Sequence, residues 1–318
     1  MSKAARGNAR ASSRGRDFRG YGSTPPSIEW PNKARVALSF VINYEAGAEY
    51  TFQDGDERRD SVGEFGAAIN PTPAHIRDFC TESTFEYGSR AGVWRLARIF
   101  DGLGLKVTFH VAARAVEKYP EVGAYIAEAG HEPCAHGYRW EELWRLSRDE
   151  ELKHLAHAVE VIESTCGRRP VGWHSRCTPS SSTRELLVEE GGFLYDSDAY
   201  NDDLPYQVDV GGVDHLVLPY SFTFNDMRYA FAPGFADPMD FLTLCRMGLD
   251  DLWEEGEHTP KMMSVGLHPR WAGQPGRARA VRELVDYALS KGEVWIARRE
   301  DIARHWLRHA SPSSSAGQ

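Results

Sequence analysis

One glutamate and several histidines stand where apolar, strand-like runs of the sequence give way to polar residues. Glu45 comes just after the run ARVALSFVIN, His136 follows EPCA, and His268 ends KMMSVGL. Carboxylates and imidazoles are the groups that most often move protons in catalysis, and both can bind metals. An imidazole four residues after His136 would complete the metal-binding spacing H-x-x-x-H, but Trp140 occupies that position. These residues predict acid–base chemistry beside an incomplete metal site.

The segments between these residues alternate between strand-like and helix-like patterns. Continuous apolar, β-branched runs such as ARVALSFVIN are typical of strands buried on both faces. Runs such as VWRLARIFDGLG have helical spacing and end at glycine, and Ser147 and Glu150 form a capping box before another helix. This βαβα order predicts an α/β fold with a parallel sheet and right-handed crossovers, closed or nearly closed into a distorted (β/α) barrel.

The carboxyl ends of all strands in a (β/α) barrel open on one face, where active sites are built. Polar residues that follow the predicted strands should therefore meet there, although they are far apart in the chain. Asn43 ends the first strand, His174 and Arg176 follow PVGW, and Asp198 follows FLYDS. Asp198 either orients a base or pairs with Arg176, and His174 is either functional or structural; both pairs of alternatives stay open.

Other candidate residues carry a weaker positional signal. We expect Trp140 in the wall of the pocket, and Tyr44 and Trp271 as further substrate contacts. Arg90, which lies near glycines and Glu86, is either a substrate contact or a surface ion-pair residue. Three more histidines are expected to be structural: His110, His154 and His157.

Composition excludes several classes of function. A formal net charge of −9 over 318 residues leaves no generally basic surface, which argues against a nucleic-acid partner. No run reaches the ~18 apolar residues needed to cross a bilayer. The 5 cysteines include no C-x-x-C pair, so a soluble, cytoplasmic protein without a disulfide framework is expected. We predict one domain over residues 16–308, between disordered tails at 1–15 and 309–318.

These residues, in this order, resemble the polysaccharide deacetylase (NodB-like) superfamily. The resemblance implies a distorted (β/α) barrel that hydrolyses C–N amide bonds. Typical members have a base Asp and a ligand Asp after the first strand, H-x-x-x-H for a divalent metal, an R-x-x-P-like motif and a late L-x-H. The corresponding segments in this chain are INYE, HGYRW, RCTP and GLHPRW.

The departures from the family pattern are consistent with one another. Asn43 stands in place of the base Asp, Glu45 in place of the ligand Asp, and Trp140 in place of the second histidine. These three departures resemble the metal-independent allantoinases and cyclic imide hydrolases. The sequences of that branch are also similar to the segments FEYGSRAGVWR, YDSDAYNDDLPY, NDMRY and RREDIARHW. That branch implies a homotetramer and a small cyclic ureide or imide as substrate. Ala46 and the segment GWHSRCTPS differ from the usual sequence of that branch.

A mechanism without a metal cofactor follows as a hypothesis, because one histidine and one glutamate are too few ligands for a stable zinc site. Glu45 would be the general base, its pKa raised by burial beside Trp140 and Tyr44. His268 would be the general acid for the departing nitrogen, and His136 would hold the carbonyl or the water. Arg176 would stabilise the oxyanion or the ureido group. Zinc or another divalent metal is the alternative.

Allantoin is the expected substrate, but other functions remain open. A metal-dependent de-N-acetylase of polysaccharides or chitooligosaccharides would keep the ordinary activity of the superfamily. A cyclic imide hydrolase and a non-catalytic ureide-binding protein are further alternatives. Covalent catalysis by Cys177, next to Arg176 and near His174, is a chemical alternative to direct attack by water.

Overall fold

A curled sheet of nine strands forms the centre of the protein. The computed structural model describes residues 16–26, 28–60, 72–176, 178–231 and 234–309. The strands are β1 (Val36–Tyr44), β2 (Thr108–Val111), β3 (Glu132–Ala135), β4 (Gly172–Trp173), β5 (Tyr195–Asp196), β6 (Tyr206–Val210), β7 (Val213–Val217), β8 (Lys261–Leu267) and β9 (Val294–Ile296). Their order is β6-β7-β5-β4-β3-β2-β1-β8, and β9 pairs with the first part of β1.

Helices in the described residues connect these strands. They are α1 (Phe79–Tyr87), α2 (Val93–Asp101), α3 (Ala113–Lys118), α4 (Pro120–Ala129), α5 (Arg148–Cys166), α6 (Thr183–Glu190), α7 (Pro238–Glu255), α8 (Arg277–Lys291) and α9 (Arg299–His309). The predicted capping box is confirmed, since Ser147 and Glu150 bond reciprocally at the start of α5. Within the described ranges, no helix combines the length and apolarity needed to span a bilayer.

The order of the strands explains why the candidate residues meet. β1 is buried along its whole length and pairs in parallel with β2 on one side and β8 on the other. β3 and β4 continue the sheet beyond β2, also in parallel. Residues at the carboxyl ends of these five strands are therefore neighbours, as expected for the distorted (β/α) barrel that the sequence predicted.

Two features of the fold were not predicted. β6 and β7 form an antiparallel hairpin at one edge of the sheet, so the sheet is not parallel throughout. β8 lies at the other edge, and the segment 218–226 runs beside it: the Gly266 N–H donates to the Phe224 carbonyl at 2.9 Å. The edges of the sheet therefore do not pair with each other, and this loop segment occupies the seam between the β6–β7 hairpin and β8.

The predicted domain limits can be compared only in part with the structure. Both predicted tails lie outside the described residues, at 1–15 and 310–318, except for His309. α9 continues through His309, one residue into the predicted second tail. The sequence RREDIARHW in this region was recognised as family-like, but its helix was not predicted.

Arg299, the first residue of α9, connects the two sides of the seam from inside the barrel. Its side chain is fully buried. It donates to the Leu218 carbonyl after β7 at 2.6 Å and to Ser197 Oγ after β5 at 2.9 Å. It also donates to Ser264 Oγ in β8. One guanidinium thus satisfies buried acceptors on three strands.

Replacing Arg299 with Met should destabilise the fold strongly. Several buried acceptors would lose a charged donor, and a hydrogen bond to a charged group is worth about 1.5–3 kcal/mol. We expect the free energy of unfolding from urea titration to fall by about 3 kcal/mol or more. Arg279→Met is the control, because that side chain is 83% exposed and pairs only on the surface of α8 with Glu283. A similar loss in both variants would contradict the role of Arg299.

Candidate active site

A cavity of about 140 Å³ opens at the carboxyl ends of the strands. Eight of the predicted site residues line it: Asn43, Glu45, His136, Trp140, His174, Arg176, His268 and Trp271. They lie at the carboxyl end of β1 and in the segments after β3, β4 and β8. These segments are far apart in the sequence. The structure therefore brings together most of the residues that were predicted from strand ends.

Glu45 is at the centre of the polar contacts. One carboxylate oxygen, Oε1, lies 3.1 Å from His136 Nε2 and 3.5 Å from His268 Nε2. The other, Oε2, accepts a hydrogen bond from Arg270 Nη1 at 2.5 Å. Glu45 and Arg270 are each only 2% exposed, so this is a buried ion pair.

The ion pair reverses the predicted protonation behaviour of Glu45. Burial raises the pKa of Glu45, but the charges of Arg270 and His268 and the hydrogen bonds from His136 and His268 lower it further than burial raises it. The net pKa lies well below the ordinary value for a glutamate. The sequence predicted a raised pKa, which is wrong because it took no account of Arg270.

His268 is held by a second carboxylate, Asp226, in the segment that follows β7. Its Nδ1 lies 2.6 Å from Asp226 Oδ1, and Asp226 Oδ2 accepts from the His268 backbone N–H at 2.7 Å. Burial lowers the pKa of His268, but Glu45 and Asp226 raise it more, so the net shift is upward. Sequence reasoning missed Asp226, although it lies in the family-like stretch NDMRY.

Asp198 orients His174 and does not pair with Arg176. Its Oδ1 lies 3.2 Å from His174 Nδ1, while the backbone N–H and hydroxyl of Ser175 donate to its two oxygens at 2.7 and 2.6 Å. Of the two alternatives for Asp198, the structure supports the orientation of an imidazole. Asp198 itself does not line the cavity.

Arg176 is committed to other partners. It donates to Asp60 Oδ1 and to the Trp140 carbonyl, both at 2.9 Å, and its guanidinium stacks over the Trp140 ring at 3.4 Å. Its role is therefore to fix the pocket wall, where Trp140 lies as predicted. The donors that Arg176 uses for these contacts are not free for an oxyanion.

Arg270 and Trp271 carry donors that have no hydrogen-bond partner among the described residues. These are Nε and Nη2 of Arg270 and the indole Nε1 of Trp271. Both side chains line the cavity, and the guanidinium stacks over the Trp271 ring at 4.1 Å. Buried unpaired donors are costly and rare in native proteins, so they indicate acceptor atoms of a bound molecule. Arg270 was not predicted, although it lies two residues after His268.

His110 was predicted to be structural, but it joins two histidines of the site. It is fully buried in β2, and its ring centroid lies 4.7 Å from that of His174 and 5.7 Å from that of His136. Burial and the two neighbouring imidazoles lower the pKa of His110 well below its ordinary value. Burial likewise lowers the pKa of His174, despite the opposing effect of Asp198.

The residues present can be tested against the divalent metal that this fold family implies. The position of the family's second histidine holds Trp140, and Arg270 occupies one oxygen of Glu45. However, His110, His136 and His174 each place a ligand atom within 4.8 Å of the others, and His110 Nε2 has no partner. Three imidazoles fit the ligand count of a divalent transition-metal site. The expected absence of a metal rested on a count of two ligands, and that reason no longer holds.

Some predicted residues lie elsewhere. Tyr44 points to the opposite face of β1 from Glu45, as alternation along a strand requires, and its hydroxyl bonds Ser89 Oγ at 2.9 Å. Arg90 is exposed in the turn of π-helix between α1 and α2 and does not line the cavity. Neither supports the predicted substrate contact.

Three further predictions concern residues away from the cavity. His154 and His157 lie on α5 and do not line the cavity, as expected for structural histidines. Cys177 lies outside the described residues, so covalent catalysis by this thiol stays a hypothesis.

Comparisons with known proteins agree with the fold and the site. The polysaccharide deacetylase family model matches residues 77–190. A protein of Schizosaccharomyces pombe with a polysaccharide deacetylase name is 38% identical over 310 residues, which is 92% of this chain and 96% of the relative. The crystal structure of a probable polysaccharide deacetylase from Pseudomonas aeruginosa PAO1 is 44% identical, with a TM-score of 0.87, over 92% of this chain and 98% of that one.

A solved structure of PuuE allantoinase is equally similar. It is 42% identical, with a TM-score of 0.88, and the match covers 92% of this chain and 97% of that chain. The fold, the site and these similarities define a hydrolase that acts on C–N bonds. The chain belongs to the polysaccharide deacetylase family, with the NodB-like (β/α) barrel that the sequence predicted.

Replacing Asp226 with Asn should lower the pKa of His268. The variant loses one of the two carboxylates that raise this pKa, and a nearby opposite charge typically contributes about 1–3 units. At a given pH near neutrality, less of His268 should then be protonated. NMR titration of the histidine ring protons in metal-stripped protein measures this, with His268→Gln to assign the signal. Asp214→Asn, an exposed change on β7, should leave it in place; an unshifted signal in Asp226→Asn would refute the dyad.

Proposed function

We propose that this protein hydrolyses a C–N bond of a small cyclic amide and that allantoin is its substrate. The observation that carries the proposal is the His268–Asp226 pair, which presents a proton donor to the cavity beside the Glu45 carboxylate. Similarity to PuuE allantoinase over nearly the whole chain supports the choice of substrate. The proposal includes a cytoplasmic homotetramer with no nucleic-acid or membrane partner.

The reaction needs a proton acceptor for water and a proton donor for nitrogen. Water adds to the ring carbonyl carbon and gives a proton to Glu45, which is ionised at neutral pH. The C–N bond then breaks, and His268 gives its proton to the departing nitrogen. Asp226 stabilises the charged form of His268 before this step. The product is a ring-opened acid, and the proton on Glu45 returns to His268 through solvent.

The carbonyl oxygen becomes negatively charged in the tetrahedral intermediate and needs donors. We assign this role to Arg270 and Trp271 in place of Arg176, because both side chains line the cavity and carry buried N–H groups without a partner among the described residues. Arg270 Nη1 holds Glu45 at the same time, so one guanidinium positions the base and binds the oxygen. A divalent ion on the imidazoles would additionally polarise a carbonyl or lower the pKa of a bound water.

The size of the cavity favours a small ring over a polymer. A volume of about 140 Å³ is close to that of an engineered cavity of about 150 Å³ that binds a single benzene ring. Several placed donors and acceptors around such a volume suit a compact molecule with multiple N–H and C=O groups. The deacetylase names of several relatives keep a polysaccharide or chitooligosaccharide de-N-acetylase as the second candidate.

An activity panel separates these candidates. We expect ring opening of allantoin to exceed that of hydantoin, dihydropyrimidines and succinimide, because allantoin offers the most acceptor oxygens to the unpaired donors. No acetate should be released from N-acetylglucosamine oligomers. Product formation is measured by chromatography with wild-type protein and with Glu45→Gln as the blank. Acetate release without ring opening would replace our proposal by the de-N-acetylase, and ureide binding without turnover would indicate a non-catalytic homologue.

Substitutions test the assigned roles. His268→Gln and Glu45→Gln should each lower kcat about 10²–10⁴-fold, the range for acid–base groups. Arg270→Lys should cost about 10²–10³-fold, because one ammonium cannot replace the lost donors. Arg176→Lys should cost less than Arg270→Lys, and His154→Gln on α5 is the neutral control. Unfolding midpoints show whether each variant is folded. Equal losses in both arginine variants would contradict the oxyanion assignment.

A further inference from the structure

We propose that His110, His136 and His174 form a binding site for one divalent transition-metal ion, with zinc preferred. The three rings come from neighbouring parallel strands: His110 lies in β2, His136 follows β3 and His174 follows β4. Their ligand atoms lie within 4.8 Å of one another, and all three residues are buried. This inference does not depend on which amide is the substrate.

In His110 and His136 the Nδ1 atom faces an acceptor, while His136 Nε2 lies 3.1 Å from Glu45 Oε1. His136 Nδ1 lies 2.6 Å from the backbone carbonyl of His174, which can only accept, so Nδ1 carries the proton. His110 Nδ1 lies 3.0 Å from Asn43 Oδ1. The Asn43 amide nitrogen donates to the Tyr220 hydroxyl at 3.1 Å, which fixes the oxygen toward His110. His110 therefore also donates from Nδ1.

Asp198 lies beside His174 in a comparable way. Its Oδ1 is 3.2 Å from His174 Nδ1, an ion-pair distance without hydrogen-bond geometry. Ser175 holds that carboxylate through its backbone N–H and its hydroxyl. An acceptor on the non-ligating nitrogen of each histidine, here an amide, a carbonyl and a carboxylate, is the arrangement that supports metal-ligating imidazoles in proteins.

The unpaired Nε2 atom of His110 needs an explanation that the protein alone does not provide. His110 Nε2 is buried and has no hydrogen-bond partner among the described residues. A buried polar atom without a partner costs about 1–3 kcal/mol, so native structures seldom keep one without a use. A metal ion bound by the three imidazoles would satisfy it. A network of imidazoles with a structural role alone would leave this atom unpaired.

The chemistry of the donors defines the class of ion. Imidazole nitrogen suits zinc and other first-row transition metals, whereas calcium and magnesium take oxygen ligands. Three imidazoles also match the ligand count of catalytic zinc sites, which keep a fourth position open. His136 and His174 line the cavity, so an ion held by these residues would lie next to a bound substrate. The site differs from the family's H-x-x-x-H spacing, because two ligands come from other strands.

Zinc binding tests the site without relying on activity. Wild-type protein is stripped with a chelator and dialysed against Zn²⁺ alone, and bound zinc is measured by atomic emission. We expect about one ion per chain. His110→Gln and His174→Gln keep side-chain volume but remove a ligand and should weaken binding at least about 100-fold. Asp198→Asn should weaken it roughly 10–100-fold, since it only positions His174.

A matched control and a second readout make the result decisive. His154→Gln removes a histidine outside the cluster and should bind zinc as the wild type does. Zinc should raise the unfolding temperature of the wild type and of His154→Gln but not of His110→Gln. Substoichiometric zinc in the wild type, or unchanged binding in His110→Gln and His174→Gln, would overturn the proposal. Loss of binding only in Glu45→Gln would place the ion at the family's ordinary position and would also overturn it.

Discussion

The buried ion pair between Glu45 and Arg270 is the constraint on which the arrangement of the pocket depends. Removing one partner of such a pair leaves a charge without compensation, which costs about 3–5 kcal/mol. The pair fixes the Glu45 carboxylate, and through it the Nε2 atoms of His136 and His268 that face Oε1. The guanidinium stacks on Phe85 and Trp271, so aromatic rings form its walls. The positions of acid, base and oxygen-binding donors all follow from this contact.

β1 explains how this contact can form. The strand is buried throughout and ends at Tyr44, with Asn43 and Glu45 on either side of that residue, while β8, its partner, leads directly to His268 and Arg270. Parallel pairing keeps these ends level, because parallel strands all finish at the same edge. On the other side, β2, β3 and β4 bring three imidazoles beside the same carboxylate. The acid–base groups and the imidazole cluster therefore lie on opposite sides of the carboxyl end of β1.

Much of the fold and part of the site could be predicted from sequence. Buried parallel strands leave a continuous apolar signal, and polar residues at their ends, such as Glu45, His136 and His268, stand out against it. His110 did not stand out, because it lies within a strand, where a polar residue is most often structural. Asp226 lies in a segment without helix-like or strand-like periodicity, so only the similarity of its sequence to the family distinguished it.

The sign of the Glu45 pKa shift shows a different limit of sequence reasoning. Burial was foreseen, but the effect of Arg270 was not, and the stronger of two opposing effects decides the sign. Which of two opposing effects is stronger depends on distances of a few ångströms, and these are fixed only by the complete fold. The Arg176–Asp198 pairing was an open alternative for the same reason. The residue types limited the possible partners of these side chains, and the distances in the folded structure determined which contacts form.

The seam between the β6–β7 hairpin and β8 has a consequence for the chemistry of the pocket. The segment that occupies it ends in Asp226, the carboxylate that holds the imidazole of His268. Proton affinity at His268 is thus tied to how firmly this segment stays docked against β8. Any molecule that separates this segment from β8 would lower the protonated fraction of His268 without contacting the imidazole, and one that holds the segment in place would raise that fraction. Binding at the open seam of the sheet would therefore change the protonation of His268 in the cavity.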